Sequence, residues 1–196
     1  QSPEPLHLMF LSRTLRSSNC CHLTAVHGRL LEFYPPYLHL LLHQQSPTLF
    51  HCPVLPYHPF LIKPNNHELG EIFGVELKTR QEVVPYGKKL QELGAENVLI
   101  SMAGEGAVLI TKHGAVYKKE APEGKLVNGV GAGDSMVAGF MAGWLEKQDY
   151  EYAFHMGMAA GSASAFSENL ATKAEIQAVY EQVTRINLQE QTGGIL

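Results

Sequence analysis

The run Asn128-Gly-Val-Gly-Ala-Gly-Asp-Ser-Met-Val-Ala-Gly-Phe-Met141 constrains this chain more than any other stretch. Gly129, Gly131 and Gly133 alternate with Val130 and Ala132 and then give way to residues that favour a helix. Such text specifies a turn entering a helix, and the first N–H groups of a helix have no intrahelical acceptor. Those free donors and the helix dipole together favour an anion at that end. Asp134 stands in the first turn. Read alone it complements the dipole, and beside a bound phosphate it can also take the proton of an attacking hydroxyl. The spacing is not that of a dinucleotide fingerprint, because Asp134 occupies the place of the third glycine, and the chain has no Walker A sequence.

The text from residue 60 onward predicts ordered elements around that turn. Asn65-Asn66-His67-Glu68 opens a short helix that Gly74 can end. Thr79 and Glu82 have the spacing of a capping box for a helix reaching about Leu93, with Gly94 as its stop and Pro85 marking its first turn or a kink. Asn97 to Met102 reads as a compact apolar strand buried on both faces. Ala107 to Lys112 and Ala115 to Lys119 flank His113-Gly114, a tight hairpin. Tyr150 to Phe166 is a helix rich in small residues, and Thr172-Lys-Ala-Glu175 caps the start of the last one. Helices alternating with buried strands predict an α/β layered fold.

Residues 1–59 differ in kind. They carry seven of the ten histidines, eight of the eleven prolines and all three cysteines, with one glycine, two acids and no lysine. Prolines at 35, 36, 47, 53, 56 and 59 interrupt any helix, and the leucines show no period. Apolar text of this kind, rich in His and Pro and nearly free of acids, is what a coding region gives when read out of frame; a divergent natural extension and a cloning artefact are the other readings. The chain therefore divides into an anomalous segment, 1–59, and a segment with ordered, periodic text, 60–196. His39 and His43 stand four apart with Cys52 nearby, but the prolines argue against the helix a metal site there needs.

The formal charge of -4 excludes a general nucleic-acid binder, which carries a basic stripe. The richest apolar stretch, Leu30 to Leu42, is broken by Pro35-Pro36, so no membrane span is expected. Three cysteines make no even disulfide framework, and a cytoplasmic location is the expectation.

The run from Asn128 to Met141 resembles the C-terminal signature of the PfkB, or ribokinase-type, carbohydrate kinases, departing from it only at Gly129. The resemblance covers residues 60–186 and implies a ribokinase-like three-layer α/β/α sandwich of which only the C-terminal, nucleotide-binding half is present. It also implies that Asp134 is the catalytic base, and that the amides of Gly131, Ala132 and Gly133 form the anion hole. Lys63 is then near the nucleotide phosphates, and Asn65 and Glu68 order a magnesium–phosphate network. Ser101, Ala103, Gly104 and Gly106 belong to a nucleotide-contacting loop, and Gly161 and Ser162 to the wall of the adenine pocket. ATP and Mg2+ are the implied cofactors, a sugar phosphate the implied partner, and a homodimer the expected form of an intact member. Lys63 to Gly70, Ser101 to Ala107 and Gly131 to Phe140 are most similar to the bacterial 1-phosphofructokinase branch, which implies transfer to the 6-hydroxyl of fructose 1-phosphate. Tagatose-6-phosphate kinases are the neighbouring branch. An inactive fragment lacking the sugar site is the alternative of a different class.

Overall fold

The computed structural model describes the backbone of residues 24–26 and 54–192 and the side chains of residues 54–185. The candidate metal ligands His39, His43 and Cys52 lie outside the described residues, as does most of the segment read as anomalous. A five-stranded sheet runs β1 (Thr24–Val26), β2 (Leu61–Lys63), β3 (Asn97–Ser101), β4 (Ala107–Ile110) and β5 (Val116–Lys119), in that spatial order. β2 and β3 are parallel; the other three pairings are antiparallel.

Helices α1 (Asn66–Phe73) and α2 (Arg80–Glu92) make the crossover between the two parallel strands. Helices α3 (Ala132–Lys147), α4 (Tyr150–Phe166) and α5 (Lys173–Thr192) follow the hairpin. The side-chain alternation of a strand assigns the layers. Leu61, Leu99 and Leu109 pack with Val137, Phe140, Phe154, Met158 and Val183 of the last three helices. Ile62, Val98, Ile100, Val108 and Ile110 point the other way, onto Leu69, Ile72, Val83 and Leu90 of α1 and α2. Both faces of the sheet are thus covered, and the architecture is the three-layer α/β/α sandwich expected. Phe140 and Phe154 are buried at its centre, where truncation to alanine costs about 3–5 kcal/mol.

Asn97 is a fully buried polar residue, and its hydrogen bonds explain why it is tolerated. Its amide nitrogen donates to the Phe60 carbonyl (2.7 Å), and its oxygen accepts from the Lys112 N–H (2.9 Å). One side chain therefore ties the start of β2 to the β4–β5 hairpin. That hairpin turns where expected: the Gly114 N–H reaches the Thr111 carbonyl (2.9 Å), with Gly114 at φ 84°. Pro85 lies inside α2, beyond its first turn. Burial of Val83 and Leu90 keeps the helix continuous past the missing N–H. β1 and β2 carry no sequence signal of their own, being three residues each.

Candidate functional site

Lys63 ends β2 and is only 7% exposed. Its ammonium lies 3.4 Å from the Ser101 hydroxyl at the end of β3. A β-carbon at Gly133, in the first turn of α3, would stand 3.1 Å from the same nitrogen. Burial pushes the Lys63 pKa down, while the carboxylates of Glu68 and Asp134 pull it back up. An isolated parallel bridge joins Asn65 to Ser101. The fold therefore gathers Lys63, Asn65, Glu68, Ser101, Gly133 and Asp134 at one end of the sheet, from β2, β3 and the starts of α1 and α3.

The helix starts differ in how their donors are used. Asn65 Oδ1 accepts from the Glu68 N–H (2.8 Å), and Glu68 Oε2 accepts from the Asn65 N–H (2.7 Å), a complete capping box. Thr79 with Glu82 does the same for α2, and Thr172 with Glu175 for α5. Asp149 Oδ1 accepts from the Tyr152 N–H (2.6 Å) at the start of α4. Helix α3 starts instead on Gly131, at φ 79° and with no side-chain cap. That positive φ is one glycine adopts freely. The Ala132 N–H leans on the Gly129 carbonyl through a long bond of 3.3 Å. Asp134 is exposed in the turn that follows.

The other candidates sit around this cluster. Ala103–Glu105 forms a 3-10 turn with Ala103 at φ 47°, closed by the Met102 N–H on the Gly106 carbonyl (2.8 Å). Gly106, at φ 92°, lies against the Lys119 carbonyl where a β-carbon would overlap it, so the chain's own packing requires this glycine. Gly104 is exposed with open space before it. The turn joins the cluster through Ser101, the last residue of β3. Gly161 faces α3: a β-carbon there would meet the Ala132 carbonyl at 3.1 Å and Met136 Cβ at 3.0 Å. It closes the back of the glycine turn, with half-buried Ser162 next to it.

Among the described residues no three His, Cys, Asp or Glu side chains group as a metal cage. Glu68 and Asp134 bring carboxylates near Lys63, and one Glu68 oxygen is already held by the Asn65 N–H. That donor set fits Mg2+, which binds through few carboxylates and keeps waters and phosphate oxygens as its other ligands. No helix among the described residues is long and apolar enough to cross a membrane.

The sheet order, the two helical layers and the uncapped glycine turn together describe an α/β sandwich with an anion-binding helix start. The chain belongs to the pfkB family carbohydrate kinases, whose family model matches residues 21–177. It is 56% identical over 125 residues to a 1-phosphofructokinase of Bacillus subtilis, covering 64% of this chain and 41% of that protein. It is 37% identical over 147 residues to a D-tagatose-1-phosphate kinase of Bacillus licheniformis, covering 74% and 47%. Among solved structures, phosphofructokinase-2 of Escherichia coli superposes with a TM-score of 0.59 at 29% identity, covering 64% of this chain and 41% of that one. The chain spans less than half the length of these relatives.

Proposed function

We propose that this chain forms the ATP-binding and phosphoryl-transfer half of a sugar-phosphate kinase acting on the 6-hydroxyl of fructose 1-phosphate. The observation that carries the reading is the convergence of Lys63, Glu68 and Asp134 on the uncapped start of α3. In this reading Asp134 accepts the proton of the acceptor hydroxyl as its oxygen attacks the γ-phosphorus. The bond from that phosphorus to the bridging oxygen breaks, and ADP leaves. Lys63 and the amides of Gly131, Ala132 and Gly133 hold the charge that develops on the transferring group. The Ala132 amide joins them by releasing its long bond to Gly129. Magnesium, when bound, would offset phosphate charge, with Asn65 and Glu68 orienting its water ligands.

The relatives' names support the substrate class. Fructose 1-phosphate and D-tagatose 1-phosphate are both ketohexose 1-phosphates, epimers at one ring carbon. This favours an acceptor phosphorylated at C1 and weighs against the alternative, tagatose 6-phosphate. Because the chain spans less than half of its relatives, the acceptor clamp lies elsewhere in such proteins, and residues 60–196 alone are expected to bind Mg-ATP with little turnover.

Grafting residues 60–196 onto the N-terminal half of the Bacillus subtilis relative tests the reaction. A coupled ADP-release assay should show fructose 1-phosphate turned over faster than tagatose 1-phosphate or tagatose 6-phosphate. Asp134→Asn should lower the rate about 10²–10⁴-fold. A chimera that binds Mg-ATP, yet turns over equally with Asn at this position, would remove Asp134 as the base.

A further inference from the structure

The glycine turn that opens α3 is held from behind, by the connection that follows α4. Asn128 begins the turn. Its Oδ1 accepts from the Val130 N–H (3.0 Å), and its amide nitrogen donates to the Glu168 carbonyl (3.0 Å). The Asn128 N–H itself reaches the Ala165 carbonyl (3.1 Å). Within the first turn of α3, Ser135 meets Ser164 of α4. The Ser164 hydroxyl donates to Ser135 Oγ (2.9 Å) and accepts from the Ala171 N–H (3.2 Å). Ser164 is 3% exposed, so these are the partners that make its burial tolerable. Leu170 of the same connection lies against Gly131, where a β-carbon would stand 2.9 Å from its Cδ2.

Two polar ties from different elements thus end on one short connection, residues 167–171, and both start beside the residues that would meet the phosphate. A turn with glycine at 129, 131 and 133 has more conformations to lose than one built from residues with side chains. Within it the Asn128 side chain holds the Val130 N–H and the Gly129 carbonyl takes the Ala132 N–H through a long bond, while Gly131 has no side chain with which to cap the helix.

We propose that Asn128 and Ser164 are positioning residues that clamp the connection 167–171 against the glycine turn, and so aim the amides of Gly131 to Gly133 and the carboxylate of Asp134. The meaning of this clamp for phosphoryl transfer rests on the function proposed above; its mechanical content does not. Asn128 holds the entry of the turn, and Ser164 holds its exit through Ser135. Losing either tie releases the segment 129–135 while the rest of α3 stays packed through Val137 and Phe140.

Amide hydrogen exchange resolved by residue tests the clamp, on the chain as it stands and without ligand. In Asn128→Ala and in Ser164→Ala, exchange across residues 129–135 should accelerate about tenfold or more, with residues 140–147 within about twofold of the parent. Asn128→Asp keeps the acceptor for Val130 and loses the donor to Glu168, so it should free the connection 167–171 as fully as alanine does. The exposed substitution Gln177→Ala should change neither segment. Unchanged exchange at 129–135 in both alanine variants would overturn the clamp, and so would acceleration spread evenly along α3 and α4. A Mg-ATP titration of the same proteins separates the two readings. A parent chain that fails to bind removes the proposed function and leaves the exchange result to decide the clamp. A parent that binds, with variants that bind as tightly despite faster exchange, overturns the positioning role.

Discussion

Helices α1 and α3 both begin beside Lys63, yet their first turns are built in opposite ways. At α1, Asn65 and Glu68 satisfy each other's backbone N–H groups. At α3, the cap is a glycine with positive φ and no side chain. A helix start optimised for stability uses its donors within the protein, as α1, α2, α4 and α5 do. A start that leaves them open gives up about 1 kcal/mol of capping, and keeps donors aimed at a ligand. In the proposed reading Asn65 and Glu68 serve two roles, and a cap by itself is no argument against a part in binding. The same turn that closes α1 places a carboxylate beside Lys63, opposite the open end of α3.

The largest effect should come from disturbing the seat of the open helix. A β-carbon at Gly139 would stand 2.6 Å from both Ala160 Cβ and the Met156 carbonyl. Gly139→Val should therefore force α3 from α4 and cost about 3 kcal/mol or more, read as a lost or strongly lowered unfolding midpoint. Next, Asn65→Ala and Thr79→Ala break the same capping geometry on α1 and α2. Each should lose about 1 kcal/mol in denaturant titration. Only Asn65→Ala should also weaken Mg-ATP binding, by about tenfold. Equal nucleotide affinity in the two variants would confine Asn65 to its capping role.

The smallest effect concerns pH and lies away from the site. Burial holds His155 of α4 down at about 4, Lys119 adds to the shift, and Asp149 opposes it. The folded state therefore refuses a proton that the unfolded state takes below about 6.5. Stability should fall as pH drops from about 6.5 to about 4, and this contribution should flatten below that. In thermal melts across that window, His155→Gln should show a shallower decline than the parent. Parallel declines would place the titration elsewhere.

Much of this was legible in the sequence because it rests on local rules. Tyr150 to Phe166 forms the helix its composition predicts, and the Thr79 and Thr172 boxes start helices where their spacing demands. The glycine turn was equally plain, since Gly131 supplies a conformation that other residues avoid. What stayed hidden depends on distant partners. β2 is too short to show a period, and β1 pairs with it across a gap of more than thirty residues. Pro85 left two places open for the helix start, and the structure sets it inside α2 rather than in its first turn, with Val83 and Leu90 buried on either side. The pairing of Ser135 with Ser164 joins residues 29 apart and leaves no mark on either local sequence. Gly106 also accommodates the Lys119 carbonyl and Gly161 the start of α3, packing demands that their local sequences do not show.

If the open start of α3 is a phosphate site, titration of Mg-ATP into the chain and its Gly133→Val variant will show it. A branched β-carbon at 133 would crowd the Lys63 ammonium and cover the neighbouring amides, without entering the core. The parent should bind, Gly133→Val should lose about a hundredfold or more in affinity, and the two unfolding midpoints should be closely similar. A variant that binds Mg-ATP as tightly as the parent would contradict the phosphate site.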